Sequence, residues 1–323
     1  MRNLYPFKLK GVTKSPIWGG VRLLQNWNKT SDCDTVGESW ELTVRAGDMC
    51  RIVNGAYAGE PLDRLIARER DAMMGATTMP NGTFPLLVKL IDAADRLSVQ
   101  VHPSDAYAAR VENDRGKTEL WYVVEADPGA EIVYGLLDGV STADYARAVQ
   151  NGDFESLLKR QPICAGEAYF IPSGLVHAIG KGILIAEIQQ NCDRTYRVYD
   201  YDRRDKNGNT RELHVQKALD VIRPFSAEEI EAIRYARLCG KTPSDGLLAD
   251  CEYFRVEKMT LDGKRTLIPT NRMRHLLCLD GDVTLVCEGE SERVCKGDSV
   301  LLPAALPAVT LDGTGELLLS EAY

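Results

Sequence analysis

The chain has 323 residues, enough for one large or two moderate domains with an ample core. Its 44% hydrophobic and 27% charged residues are those of an ordinary globular protein, and a net charge of −8 without a block of lysine and arginine argues against a general nucleic-acid surface. The start, MRNLYPFKLK, has no apolar signal core, no run reaches the ~18 apolar residues of a membrane helix, and the nine cysteines form no Cys-x-x-Cys pair, so a cytoplasmic protein with reduced thiols is expected.

Residues 1–60 read as irregular and strand-rich, with SWELTVR (39–45) an extended run. Pro61 to Met74 reads as a helix, with proline near its start, a stripe of Leu62, Leu65, Ile66 and Met73, and Gly75 behind it. Pro85 to Pro103 reads as strand, turn and strand; alternation in the second strand puts Ser98, Gln100 and His102 on one face and Leu97, Val99 and Val101 on the other. Asp105 to Val111 reads as a helical turn. Thr118 to Glu125 is a predicted strand with Glu119, Trp121 and Val123 on one face. Ser141 to Arg160 carries two short helical patterns, opening near Thr142 and Asp153.

Gly166 to His177, GEAYFIPSGLVH, follows. Gly166 opens a turn, Ala168 to Ile171 is a short apolar strand, Pro172 ends backbone donation, and Gly174 permits a bend that aims His177. Ile183 to Gln190 is a predicted strand with Ile183, Ile185 and Glu187 sharing a face, and Thr195 to Tyr201 aligns Arg197 with Tyr199 and Tyr201. Val215 to Arg237 is mixed helix, its second piece opening near Ser226. A linker-like Gly240 to Gly246 introduces a tail of short strands and turns, the pattern of a sandwich or jelly roll. Its GDSVLLPAALPA (297–308) repeats the Gly, five residues, Pro spacing, with Ala305 and Ala308 where the second glycine and the histidine stood; a weak duplication lacking its ligand is the reading. The expected division is a catalytic domain, 1–240, with helical insertions, and a C-terminal β-domain, 241–323.

Gln100, His102, Glu119 and His177 are then four potential ligands on strands or at a strand–loop junction. Two imidazoles and a carboxylate leave coordination positions open, as a catalytic zinc site requires, with the neutral amide of Gln100 the weakest donor. His214 and His275 lack a comparable setting and read as structural.

The 166–177 stretch resembles the second conserved motif of cupins. LSVQVHP (97–103), GKTELWYV (116–123) and TYRVYDYDR (195–203) together resemble type I mannose-6-phosphate isomerases in their shorter bacterial form. The usual cupin His-x-His is here Gln-x-His, with Glu119 seventeen residues beyond His102, a departure which that family shares. The resemblance implies a mainly β fold: a cupin (jelly-roll β-barrel) core, a few helices, and a second, degenerate cupin-like domain. It implies one zinc ion per chain on His102, Glu119 and His177 with Gln100 as fourth ligand, and a catalytic role for Arg197 and Lys117. The implied reaction interconverts mannose 6-phosphate and fructose 6-phosphate through an enediol. A phosphate carrying roughly −1.5 to −2 charges needs cations and donors, for which Lys117, Ser98 and Lys89 are candidates, with Glu187 a further substrate contact. The general base stays open among Lys117, Glu187 and a zinc-bound water. A small sugar phosphate is the expected partner, with neither nucleic acid nor membrane, and the chain acts as monomer or homodimer. Two other readings compete: a non-haem iron cupin oxygenase and a non-catalytic sugar-phosphate-binding cupin.

Overall fold

Residues 4–205, 207–237 and 245–323 are described by the computed structural model of the chain. Residues 240–244 of the expected linker, Gly240 to Gly246, and the expected boundary at 240/241 therefore lie outside the described residues. Packing divides the chain into two compact units. One comprises Ser15–Val21 and Ile91–Thr242; the other comprises the described parts of Met1–Lys14, Arg22–Leu90 and Pro243–Tyr323.

Every candidate site residue except Lys89 lies in the first unit, which contains eight antiparallel strands: β1 (Val99–Val101), β2 (Glu119–Ala126), β3 (Glu131–Leu136), β4 (Leu158–Pro162), β5 (Ala168–Ile171), β6 (His177–Ile179), β7 (Ile183–Gln190) and β8 (Tyr196–Tyr199). They pair in the orders β4-β3-β6-β1-β8 and β5-β2-β7. In the five-stranded sheet the period of two sorts the side chains cleanly. Val99, Val101, Val133, Ala178, Tyr196 and Val198 form one buried cluster with Tyr145 and Ala218, which come from the helices Thr142–Asn151 and Val215–Val221. Each large apolar side chain so buried stabilises the fold by about 1.5–3 kcal/mol. The opposite face carries Gln100, His177 and Arg197, and it is turned toward β5-β2-β7: the Tyr134 hydroxyl donates across to the Phe170 carbonyl at 2.7 Å. The unit is thus two antiparallel sheets with a polar interior and helices outside one of them.

The expected elements appear with adjusted ends. Pro61 to Met74 forms Leu62–Arg68 and Arg70–Met74, broken at Glu69. The first pattern in Ser141 to Arg160 is the helix Thr142–Asn151, opened by a capping box of Ser141 and Asp144. The second is only a 3-10 turn, Phe154–Leu157, which runs directly into β4, and β3 has no counterpart among the sequence expectations. Among the described residues no helix is long and apolar enough to cross a membrane.

The second unit holds an eight-stranded antiparallel sheet dominated by Phe254–Leu267, Arg274–Cys287 and Val309–Ala322, each 14 residues long. Its interior is aliphatic, built on Leu276, Val283, Val294, Leu311 and Leu317. Gly297 precedes the strand Ser299–Leu302 with φ +86°, as Gly166 precedes β5 with φ +90°. The repeated spacing therefore repeats a backbone turn as well.

Candidate metal centre

Three elements bring His102, Glu119 and His177 together. His102 follows β1, Glu119 opens β2, and His177 opens β6, directly opposite Gln100. The bend before His177 is fixed by Gly174, whose φ of +86° suits glycine and whose N–H donates to the His102 carbonyl at 2.9 Å. All three ligand-type residues are buried.

The His102 and His177 Nε2 atoms are 3.1 Å apart, His102 Nε2 is 3.2 Å from Glu119 Oε1, and His177 Nε2 is 3.9 Å from Glu119 Oε2. The tautomers follow from the other ring nitrogens. His102 Nδ1 lies 3.1 Å from the Arg194 carbonyl and His177 Nδ1 lies 2.8 Å from the Leu175 carbonyl. A carbonyl only accepts, so both Nδ1 atoms carry the proton. Burial, helped by Lys117, pushes the His102 imidazolium down to about 3, and burial lowers His177 as well. Both rings are therefore neutral near pH 7, and two Nε2 lone pairs and a carboxylate face one another with no proton between them. A shared cation resolves that repulsion. Four ligands about 2.0–2.1 Å from a tetrahedral zinc sit about 3.3–3.4 Å from each other, close to the separations here. The donor set fits a divalent metal.

Glu119 is held below the usual carboxylate range: burial raises it, and the Lys117 ammonium beside it leads the opposing pull. Lys117 Nζ sits 2.6 Å from Glu119 Oε1. Lys117 precedes β2, so its placement comes from the segment around it, not from strand alternation. Gly116 N–H donates to the Asp105 carboxylate, Lys117 N–H to the Pro103 carbonyl, and Thr118 N–H to Gln190 Oε1. Trp121 Nε1–H points at two carboxylates at once, Glu119 Oε2 at 2.9 Å and Glu187 Oε2 at 3.0 Å. Glu187 lies opposite Trp121 in register, which puts it on the same face of β7.

On the facing sheet, His177, Gln100 and Arg197 are consecutive partners across β6, β1 and β8. Arg197 Nε donates to Ser98 Oγ at 3.3 Å and Nη1 to the Glu212 carbonyl at 2.7 Å. Burial and the nearby Arg211 lower the Arg197 guanidinium, but an arginine stays protonated at any working pH. Lys89 belongs to the other unit, where its buried ammonium lies 3.6 Å from Glu38 and 5.0 Å from the Trp40 ring centre. The sequence reading missed the shared donor Trp121, although its position two residues from Glu119 on one strand was a usable signal. It also left His214 structural, although the His214 side chain contacts the Arg197 backbone.

Fold and centre define a cupin-type β-protein with a histidine–carboxylate metal site. The family description "Phosphomannose isomerase type I, catalytic domain" matches residues 6–130, and "Mannose-6-phosphate isomerase, cupin domain" matches residues 246–322. The chain belongs to the type I mannose-6-phosphate isomerase family. It is 36% identical over 320 residues to the mannose-6-phosphate isomerase of Streptococcus mutans, covering 98% of both chains. It is also 36% identical over 317 residues to mannose-6-phosphate isomerase ManA of Bacillus subtilis, again covering 98% of both. The crystal structure of the Bacillus subtilis mannose 6-phosphate isomerase superposes with a TM-score of 0.84 at 32% identity, covering 98% of this chain and 99% of that one.

Proposed function

We propose that the protein interconverts D-mannose 6-phosphate and D-fructose 6-phosphate at a zinc ion held by His102, Glu119 and His177, with Gln100 as fourth donor. The observation that carries this reading is the convergence of two lone-pair imidazole nitrogens and a carboxylate at 3.1–3.9 Å, with Lys117 beside them. Full-length similarity to named mannose-6-phosphate isomerases supports the choice of substrate.

The reaction is redox-neutral. A proton leaves C2 of the aldose, an enediol forms, and a proton arrives at C1 while the carbonyl moves to C2. Zinc, when bound, would supply an electrophile that favours charge developing on the sugar oxygens. Arg197 remains a cation throughout, so its role is to stabilise and orient the enediolate, which gains charge only on the way to the transition state. This chain's own candidates for the proton carrier are Lys117 and Glu187, both buried and both tied to Glu119, one directly and one through Trp121. Charge balance supports an anionic substrate. Glu119 and Glu187 against Lys117 and Arg197 sum to zero, so a divalent cation leaves about +2 for a phosphate of roughly −2. Ser98 and Lys117 are the phosphate candidates in this unit. Lys89, the remaining candidate, belongs to the other unit, where its buried ammonium lies beside Glu38 and the Trp40 ring. All but Lys89 lie in one unit of one chain, so the proposed centre needs no residue from a second copy. Free thiols, as at buried Cys50 and Cys278, are compatible with a cytoplasmic setting.

The test is a coupled assay on mannose 6-phosphate, with chelator and then with zinc added back. Turnover should vanish and return, equally with or without oxygen; turnover that ignores the chelator or requires oxygen would sink the reading. Arg197→Ala should fold and keep zinc while losing most turnover, and His177→Ala should lose metal and activity together by elemental analysis.

A further inference from the structure

The strand that carries Arg197 lies at the edge of its sheet, so its outward N–H and C=O groups need partners from elsewhere. His214 supplies both at Arg197. The Arg197 N–H donates to His214 Nδ1 at 3.3 Å, and the His214 N–H donates to the Arg197 carbonyl at 2.8 Å. Two residues upstream, the Glu212 carbonyl accepts from Arg197 Nη1 at 2.7 Å. One short segment thus grips the arginine by its backbone and by its guanidinium. Two of these bonds use backbone atoms of residues 212–214, which a non-proline substitution leaves in place. The third needs an acceptor at the place of His214 Nδ1.

The environment keeps that acceptor available. Accepting the Arg197 N–H leaves the His214 proton on Nε2, which lies 3.9 Å from the Glu212 carboxylate. His214 also begins the helix Val215–Val221, its carbonyl accepting from the Ala218 N–H at 2.9 Å, so the grip on Arg197 is anchored to a helix whose Ala218 sits in the buried cluster. On the other side Arg197 is opposite Gln100, and Gln100 is opposite His177. Movement of the edge strand at residue 197 is movement along the rung that ends at a metal ligand.

We propose that His214 is a positioning residue for Arg197: its side chain stands in for the missing neighbouring strand and fixes the guanidinium against the sugar oxygens. This rests on the role proposed above for Arg197, and the experiment separates the two. kcat, KM and bound zinc are measured for His214→Ala, His214→Asn, Arg197→Ala and the double variant His214→Ala/Arg197→Ala. A displaced catalytic group costs roughly 10- to 100-fold, so His214→Ala should lower kcat by at least about tenfold with zinc content unchanged. Asn places an amide oxygen where Nδ1 was, and His214→Asn should stay within about threefold of the parent. On the Arg197→Ala background, His214→Ala should cost nothing further. An equal loss on both backgrounds, an unchanged kcat in His214→Ala, or an Asn variant as poor as the Ala variant would each overturn the proposal. Near-normal turnover by Arg197→Ala would instead remove the premise. If His214→Ala gives too little folded protein, His214→Leu fills the space without an acceptor and is compared with His214→Asn in its place.

Discussion

His102 and His177 each have one ring nitrogen to spare, because the other is committed to a carbonyl. That commitment leaves two lone pairs and a carboxylate on one point, an arrangement that suits a shared cation better than a hydrogen-bonded pair. The carboxylate must itself be aimed, and the group that aims it is Trp121. One indole N–H serves both Glu119 and Glu187, which ties a ligand to a neighbouring acid on the next strand. Trp121→Phe keeps an aromatic side chain but removes the N–H together with the pyrrole half of the indole. Loss of such an outer contact typically weakens metal binding 10- to 100-fold, so zinc affinity measured by chelator competition should fall by about that factor. Unchanged affinity would mean that Lys117 and the strand register alone orient Glu119.

At the scale of elements, the alternation of β1 was legible because its two faces differ so sharply: Val99 and Val101 belong to the apolar cluster, while Gln100 faces the sheet interior. The same rule set Arg197 apart from Tyr196 and Val198, but a register shift between Arg197 and Tyr199 breaks the expected alignment with Tyr199 and Tyr201, which pack against the apolar cluster. The loop 166–177 was legible because glycine and proline fix its turns. Less could be read where tertiary contacts decide. β4 buries only Leu158, behind a 3-10 turn, and its Lys-Arg-Gln run has no strand propensity of its own. Lys117 reaches Glu119 through hydrogen bonds from Gly116 and Thr118 to Asp105 and Gln190, which no period reveals. The turn after β8 is held in a comparable way, by the buried carboxylate of Asp200 between Arg203 at 2.9 Å and Arg211 at 2.5 Å. Burial raises the Asp200 carboxyl, but both arginines draw it below its ordinary value. Its contribution is therefore present above the unfolded carboxylate range, near pH 4, and is lost as pH falls through the lower folded value. Asp200→Asn should cost about 3 kcal/mol in urea unfolding at pH 7. That difference should shrink in strong acid; a difference constant with pH would show that the aspartate acts by shape, not charge.

Among the described residues the glycine–strand–proline device recurs, once ahead of His177 in the candidate metal centre and once ahead of Ala308, where no histidine stands. The second unit has its own buried histidine. His275 Nε2 lies 2.6 Å from Ser299 Oγ, whose own proton goes to the Glu41 carbonyl at 2.8 Å, so His275 donates from Nε2. Burial, with Lys29 nearby, pushes its imidazolium down to about 3. His102 and His177 are lowered by burial in the same way. A histidine that stays neutral when folded but takes a proton near pH 6.5 when unfolded makes the unfolded state the better proton binder. Stability must then fall as pH drops from about 6.5, by up to about 1.4 kcal/mol per pH unit for each such residue, and level off only near the folded value. His275 tests this away from the metal. In His275→Gln the amide nitrogen can still donate to Ser299, but nothing titrates. In chelator-treated protein, the loss of unfolding free energy between pH 7.5 and pH 5 should be smaller in that variant by about 2 kcal/mol. Identical losses in parent and variant would mean that His275 is protonated in the folded chain, with Ser299 and its unpartnered Nδ1 accommodating the charge.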